Sequence, residues 1–332
     1  MQNKKTITLT FFGMLLLLIA IVLSVTYGTK SVGLSDIIDA VLSRNTSAYN
    51  VNVVRARIPR TLFGLIAGAS LGISGLLMQS ITKNPIADPS ILGVNTGAAL
   101  FIVTGIAFFH IQSKPAYIGL SFVGAMLTTG FVYKLASLGY GGPSPIKLAI
   151  SGAATSTALS SIISLIVMPD SSVMTTYRFW QVGSIGGASN EDILWILPFF
   201  ILALIVSLSL SDQLNTLLLS EETSISLGLH VNRTKALAAL CGVILCATTT
   251  AMAGPISFVG LMVPHVIRML IGSNHFPLIL LSGIYGSSVL LLSDILGRIF
   301  GRPGELESGI MTALIGAPVF ILIIRRAKVA SL

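Results

Sequence analysis

Apolar and polar positions alternate along this chain in blocks. Long hydrophobic runs are separated by short polar turns, and the pattern predicts about ten helices near 6–26, 58–81, 90–109, 115–136, 147–168, 191–210, 235–254, 256–271, 276–297 and 306–325. Each run suits an α-helix crossing a hydrocarbon core, which takes roughly 20 apolar residues. The first run, Ile7 to Val25 behind MQNKK, is longer than a signal-peptide core and has no small-residue cleavage site after it, so it reads as the first membrane helix. Three polar stretches break the pattern: KNPIADPSILG (83–93), GYGGPSPIK (139–147) and MPDSSVMTTYRFWQVGSIGGASNED (168–192). The third is too polar for a full span and reads as a short helix dipping into the outer leaflet and ending at Gly183. Non-helical backbone at membrane depth survives only against protein or a water-filled cavity.

Composition agrees. Hydrophobic residues make up 53% of the 332 and charged residues only 10%, against about 25% charged in soluble domains. A water-covered surface is excluded, and lipid is the solvent. The net charge of +8 does not point to nucleic acid, because the basic residues are scattered between apolar runs. They mark topology instead. Lys4 and Lys5 at one end and RRAK (325–328) at the other place both termini in the cytoplasm, with Lys83, Lys147, Arg233, Lys235 and Arg268 on inner connections. Gly64, Gly68 and Gly72 form a small-residue stripe that lets helices approach closely. Cys241 and Cys246 match no zinc or redox spacing and read as buried small hydrophobes.

Reactive chemistry is scarce. The four histidines lack ligand spacing, and His265 reads as an interfacial neighbour of Arg268. No metal, cofactor or catalytic pattern is present, and no GxxxxGK[ST] phosphate loop. An ion-coupled carrier usually holds an ionisable group near mid-membrane. No Asp or Glu lies in the middle of a predicted span, and Asp294 falls near an outer helix end. If the chain is a transporter, its energy enters from elsewhere, and a separate ATPase supplying it would need a surface to push on. SEETSISLGLHVNRTK (220–235), on the inner side, is either a solvated loop with acidic residues or such a surface: Ser220 to Ser224 can cap a short helix and Gly228 can end it. On the outer side, Arg55, Arg57 and Arg60 flank the second span and Arg298 and Arg302 follow the ninth. They are either interfacial residues reaching for water or the seat of an acidic partner.

The motifs RIPRTLFGLIAGASLGISGLLMQ (57–79), NPIADPSILGVNTGA (84–98), WQVGSI (180–185), SLGL (226–229), GPISFVGLMVPHVIRMLIG (254–272) and GAPVFILII (316–324), in that order, resemble the permease subunit of binding-protein-dependent ABC importers for iron-siderophores, haem and cobalamin. The resemblance covers essentially the whole chain. It implies an all-α polytopic membrane protein with a cobalamin-importer-like permease fold, a single domain over 1–332, in the bacterial cytoplasmic (inner) membrane. It implies no enzyme activity in this chain. The implied partners are two cytoplasmic ATPase subunits, an extracellular or periplasmic substrate-binding protein and a second permease, the same or different. Ferric siderophores are the expected cargo, with haem or cobalamin the alternatives within the family and an ion-coupled carrier the alternative outside it.

By the same resemblance, Arg57, Arg60 and Arg298, within outer regions of about 44–60 and 298–305, would meet glutamates of the binding protein. Glu222, Ser226, Leu227 and Gly228, within about 211–234, would contact the ATPase. Ser144 and Pro145 would form a cytoplasmic gate. Family members often carry alanine at the position of Ser224 and a second hydroxyl residue at that of Pro145. Reversing Arg57 and Arg60 to Glu is expected to weaken transport without loss of folding.

Overall fold

The computed structural model describes residues 2–28, 32–33, 38–40, 49–85, 87–111, 113–138 and 144–330, and every regular element among them is helical. In chain order these are α1 (Gln2–Thr26), α2 (Tyr49–Thr82), a 3-10 turn (Pro89–Leu92), α3 (Val94–Phe109), α4 (Lys114–Ala136), α5 (Pro145–Val167), α6 (Ser171–Val182), α7 (Asn190–Ser209), α8 (Ser211–Thr216), α9 (Glu221–Ser226), α10 (Val231–Ala253), α11 (Val259–Ile271), α12 (His275–Phe300) and α13 (Ser308–Ala330). The ten expected runs correspond to α1–α5, α7 and α10–α13. Seven of them (α1, α2, α4, α5, α7, α10 and α12) are long and apolar enough to cross a membrane, α3 and α11 are shorter apolar helices, and α13 is apolar over Ser308–Leu322.

Two of the short ones, α3 and α11, follow breaks in the chain. Before α3, the Asp88 carboxylate accepts from the Ser90 N–H at 2.9 Å, and Gly93 turns into the helix at φ 74°. Before α11, Gly254 (φ 72°) and Phe258 (φ 70°) reverse the backbone around Pro255. Both breaks are packed in protein, as backbone at this depth must be. A Cβ on Gly152 of α5 would collide with the Ile91 carbonyl, and one on Gly260 would lie 2.8 Å from the Leu71 carbonyl.

Helices α2, α10 and α12 are mostly buried, whereas α1 lies at the edge. The glycine stripe explains how α2 and α12 meet. A Cβ on Gly68 would sit 2.5 Å from the Gly286 carbonyl oxygen, and one on Gly72 would strike the Ser282 carbonyl. The Ser287 hydroxyl then donates across the contact to the Leu65 carbonyl at 2.6 Å. Without a hydrophobic drive between helices in lipid, such close packing and interhelical hydrogen bonds hold the pair together.

The bundle has two distinct ends. The α1 C-terminus, the first turns of α2 and the last turn of α12 share one of them, the arginine end. The C-terminus of α2, helices α8 and α9 and the start of α12 share the other, the island end. Helix α1 begins at the island end, and α13 leaves the arginine end, where the Gly309 N–H donates to the Gly183 carbonyl at 2.9 Å. The short helix expected before Gly183 is α6, capped by Asp170 and closed by Gly183 at φ 78°. The Asp170 carboxyl lies below the usual range because the Ser172 side chain and backbone hydrogen-bond to its charged form.

Candidate functional site

Helix α2 starts at Tyr49 rather than near 58, so Arg55, Arg57 and Arg60 lie within its first turns instead of flanking it. Arg57 is only 8% exposed and Arg298 only 1%. Their guanidinium groups turn inward to α1. Arg57 Nη1 donates to the carbonyls of Val25 (2.9 Å) and Thr26 (3.0 Å). Arg298 Nη1 donates to those of Ser24 (2.9 Å) and Tyr27 (3.0 Å), and its Nη2 to Ser24 Oγ (3.1 Å). Arg302 Nη2 reaches the Gly28 carbonyl at 2.5 Å. The last four carbonyls of any α-helix lack intrahelical partners, and that end carries a partial negative charge. Arginines meet both needs here. A Cβ on Gly28 would strike the Arg57 guanidinium, so a larger residue there would have to displace that group.

Arg60 has carboxylate partners instead. Its Nη2 lies 2.7 Å from Asp294 Oδ1 and its Nη1 2.7 Å from Glu305 Oε2. Asp294, fully buried, also faces Arg298 Nε at 3.1 Å, one helical turn on. Sequence reasoning placed Asp294 near an outer helix end but missed both of its arginine partners. The Arg60–Asp294 contact joins residues 234 apart in the chain. The expectation that Arg57→Glu spares folding fails on this geometry: a carboxylate would face the α1 carbonyls. Residues 44–48 of the expected docking region lie outside the described residues.

At the island end the charges face outward. Ser220 caps α9, its Oγ accepting from the Thr223 N–H at 3.1 Å. Glu221 and Glu222 occupy the first turn, where the helix dipole favours negative charge. The two glutamates then divide. Glu221 pairs with Lys235 of α10, whose hydrogen bond holds the carboxyl below the usual glutamate range. Glu222, Ser226, Leu227 and Gly228 are all exposed. Gly228 sits just past the helix at φ 84°, a conformation that favours glycine. Ile225 and Leu227, on the turn rather than on a span, are 62% and 66% exposed. Ile225 was missed by the sequence reasoning, although an apolar residue inside a polar island was the available signal.

The island is firmly seated. Buried Ser224 donates to the Thr216 and Ser220 carbonyls, each at 2.9 Å, linking α9 to α8. Lys83 Nζ donates to the Leu219 carbonyl at 2.9 Å, and the Thr234 hydroxyl to Gln213 Oε1 at 2.8 Å. Ser144 caps α5 by accepting from the Lys147 N–H at 3.3 Å, with Pro145 at the first helical position. Residues 139–143 of that turn lie outside the described residues.

Other side chains complete the account. Cys241 and Cys246 are buried and free. Arg268 donates to Gln79 Oε1 at 3.1 Å, and no hydrogen bond between Arg268 and His265 is found among the described residues. Asp88, assigned by sequence to an inner turn, lies half-buried beside Gly260 of α11.

The sequence matches the FecCD transport family over residues 16–326. It is 40% identical over 316 residues to the ferric enterobactin transport system permease protein FepD of Escherichia coli (strain K12), covering 94% of this chain and 93% of that one. It is 38% identical over 311 residues to the probable siderophore transport system permease protein YfiZ of Bacillus subtilis (strain 168), with the same two coverages. The fold superposes on a solved metal-chelate type ABC transporter in an inward-facing conformation with a TM-score of 0.83. That match has 29% identity and covers 98% of this chain and 99% of the other.

Proposed function

Because this chain belongs to the FecCD transport family, we propose that it is the membrane-spanning permease subunit of an ABC importer for ferric siderophores. It performs no covalent chemistry. A separate ATPase supplies the energy, and a substrate-binding protein delivers the cargo. The observation that carries this reading is the island: two short helices fixed to α2 and α10, presenting Glu222, Ser226, Leu227 and Gly228 outward. ATP-driven motion of a partner seated there is passed to the spans, giving alternating access.

The arginine end is the docking face for the binding protein. Arg60 is its most available member, because its partner Glu305 is exposed and can be exchanged for a carboxylate of the incoming protein. Docking through Arg57 or Arg298 requires their bonds to α1 to be exchanged as well. Ser144 and Pro145 stand at the start of α5 as the cytoplasmic gate. The chain lies in the bacterial inner membrane with both termini in the cytoplasm, pairs with a second permease and works with two ATPase subunits. The siderophore names of the relatives favour that cargo over haem or cobalamin.

The test is a mild-detergent pull-down of the tagged chain from native membranes. Co-purification of a phosphate-loop ATPase and a binding protein is expected, and the binding protein is then assayed for ferric siderophore, haem and cobalamin. Repeated recovery without an ATPase returns the reading to an ion-coupled carrier.

A further inference from the structure

His275 is the first residue of α12 and only 1% exposed, yet both ring nitrogens and its backbone N–H are engaged on other elements. Nδ1 lies 2.9 Å from Asn215 Oδ1, and the backbone N–H donates to the same oxygen at 2.8 Å. Nε2 lies 2.8 Å from Ser80 Oγ. Asn215 belongs to α8 and Ser80 to the last turn of α2, so one imidazole joins the island to both long helices of the central pair. Facing the Asn215 carbonyl oxygen, an acceptor, Nδ1 carries a proton and donates to it, while the Ser80 hydroxyl meets both Nε2 and the Leu76 carbonyl of its own helix at 2.8 Å. Asn215 Nδ2 also donates to Asn274 Oδ1 at 3.4 Å, and Asn274 caps the α12 backbone.

The far ends of the same two helices carry the arginine cluster: Arg57 and Arg60 on α2, Asp294 and Arg298 on α12. Between the ends, glycines hold the helices backbone to backbone at Gly68, Gly72 and Gly286. Packed interiors transmit displacement because they resist compression. The α2–α12 pair is thus a stiff strut running from one functional end to the other.

We propose that the Asn215–His275–Ser80 contact is the joint through which island motion drives this strut, making His275 and Asn215 positioning residues for transport. The proposal rests on the reading that the island meets an ATPase and the arginine end meets the binding protein. It accounts for a buried histidine that no docking or gating role uses.

The test uses the whole complex, permease with its co-purified ATPase and binding protein, in lipid nanodiscs. Affinity for the binding protein is measured with and without a non-hydrolysable ATP analogue. In the native chain the two affinities should differ on the order of fivefold or more, the usual span of coupling between sites. Asn215→Ala should bring the ratio close to one while ATPase and binding protein still assemble. Asn215→Asp, which keeps the acceptor for both N–H groups, should restore it. Ser80→Ala, cutting only the α2 side, should lower the ratio independently.

A native ratio of one, or an Asn215→Ala complex with the native ratio, overturns the joint. Equal loss of assembly in the Ala and Asp variants overturns it too, since the contact would then only support folding. Failure of the native chain to recruit an ATPase at all sinks the underlying reading instead.

Discussion

The two ends of this bundle both concentrate charge, but they use it in opposite ways. At the arginine end, Arg57 and Arg298 are buried and Arg60 nearly so, and their donors are taken by α1 carbonyls, Asp294 and Glu305. At the island end, Glu222 and its neighbours stand in the open, while Glu221 is drawn into a pair with Lys235. The difference follows from solvent. A guanidinium taken out of water must find acceptors, because an unpaired buried charge costs several kcal/mol. A glutamate on a water-facing turn has no such need and stays available to a partner. Charge at a helix end is therefore open to a partner directly where the structure leaves it free, and elsewhere only by exchange of an internal bond such as Arg60–Glu305.

The largest expected effect separates the two ends directly. Asp294→Ala leaves Arg60 and Arg298 short of a buried counter-charge, and loss of one partner from such a pair costs about 3–5 kcal/mol. Thermal unfolding in detergent should fall steeply; an unchanged midpoint would show that the cluster is not a structural clamp. Gly72→Val, which drives a side chain into the Ser282 carbonyl, should cost about 1–3 kcal/mol or more by overpacking, read in the same assay.

Leu227→Asp probes the opposite behaviour. Its stability should stay within about 0.5 kcal/mol of native, as for most surface changes. ATPase co-purification should drop by roughly 2 kcal/mol, the scale of a contact hot spot. Native ATPase binding by this variant would remove the island from the interface.

Ser224→Ala should cost about 0.5–1.5 kcal/mol, one hydrogen-bonded hydroxyl, read as a small fall in the unfolding midpoint.

The smallest effect is pH dependence at Glu221. Its carboxyl is depressed by Lys235, so the stabilisation is present above the ordinary glutamate range and is lost as pH falls through the lowered folded value. For so exposed a pair the gain is under about 1 kcal/mol. Glu221→Gln should flatten that part of the acid profile of unfolding, and a profile identical to native would show that the pair contributes nothing.

Much of the fold was readable from local pattern. The hydropathy blocks located ten helices because each is apolar on its own residues. Gly183 and Ser220 announced the ends of α6 and α9 because capping is a matter between close neighbours. The start of α2 was misplaced for the complementary reason. Residues 49–57 are too polar to look membrane-bound, and the segment is helical because Val51, Val54 and Arg57 find buried partners elsewhere. Asp294 and His275 were underestimated in the same way, since their partners come from distant helices.

The sequence by itself determined that lipid is the solvent, how many apolar helices form and where polar stretches, the 220–235 island among them, interrupt them, since hydrophobicity and capping act over a few residues. Only the tertiary structure decided which charges are spent inside the molecule and which remain for partners. That choice depends on burial and on donors and acceptors brought together from far apart along the chain.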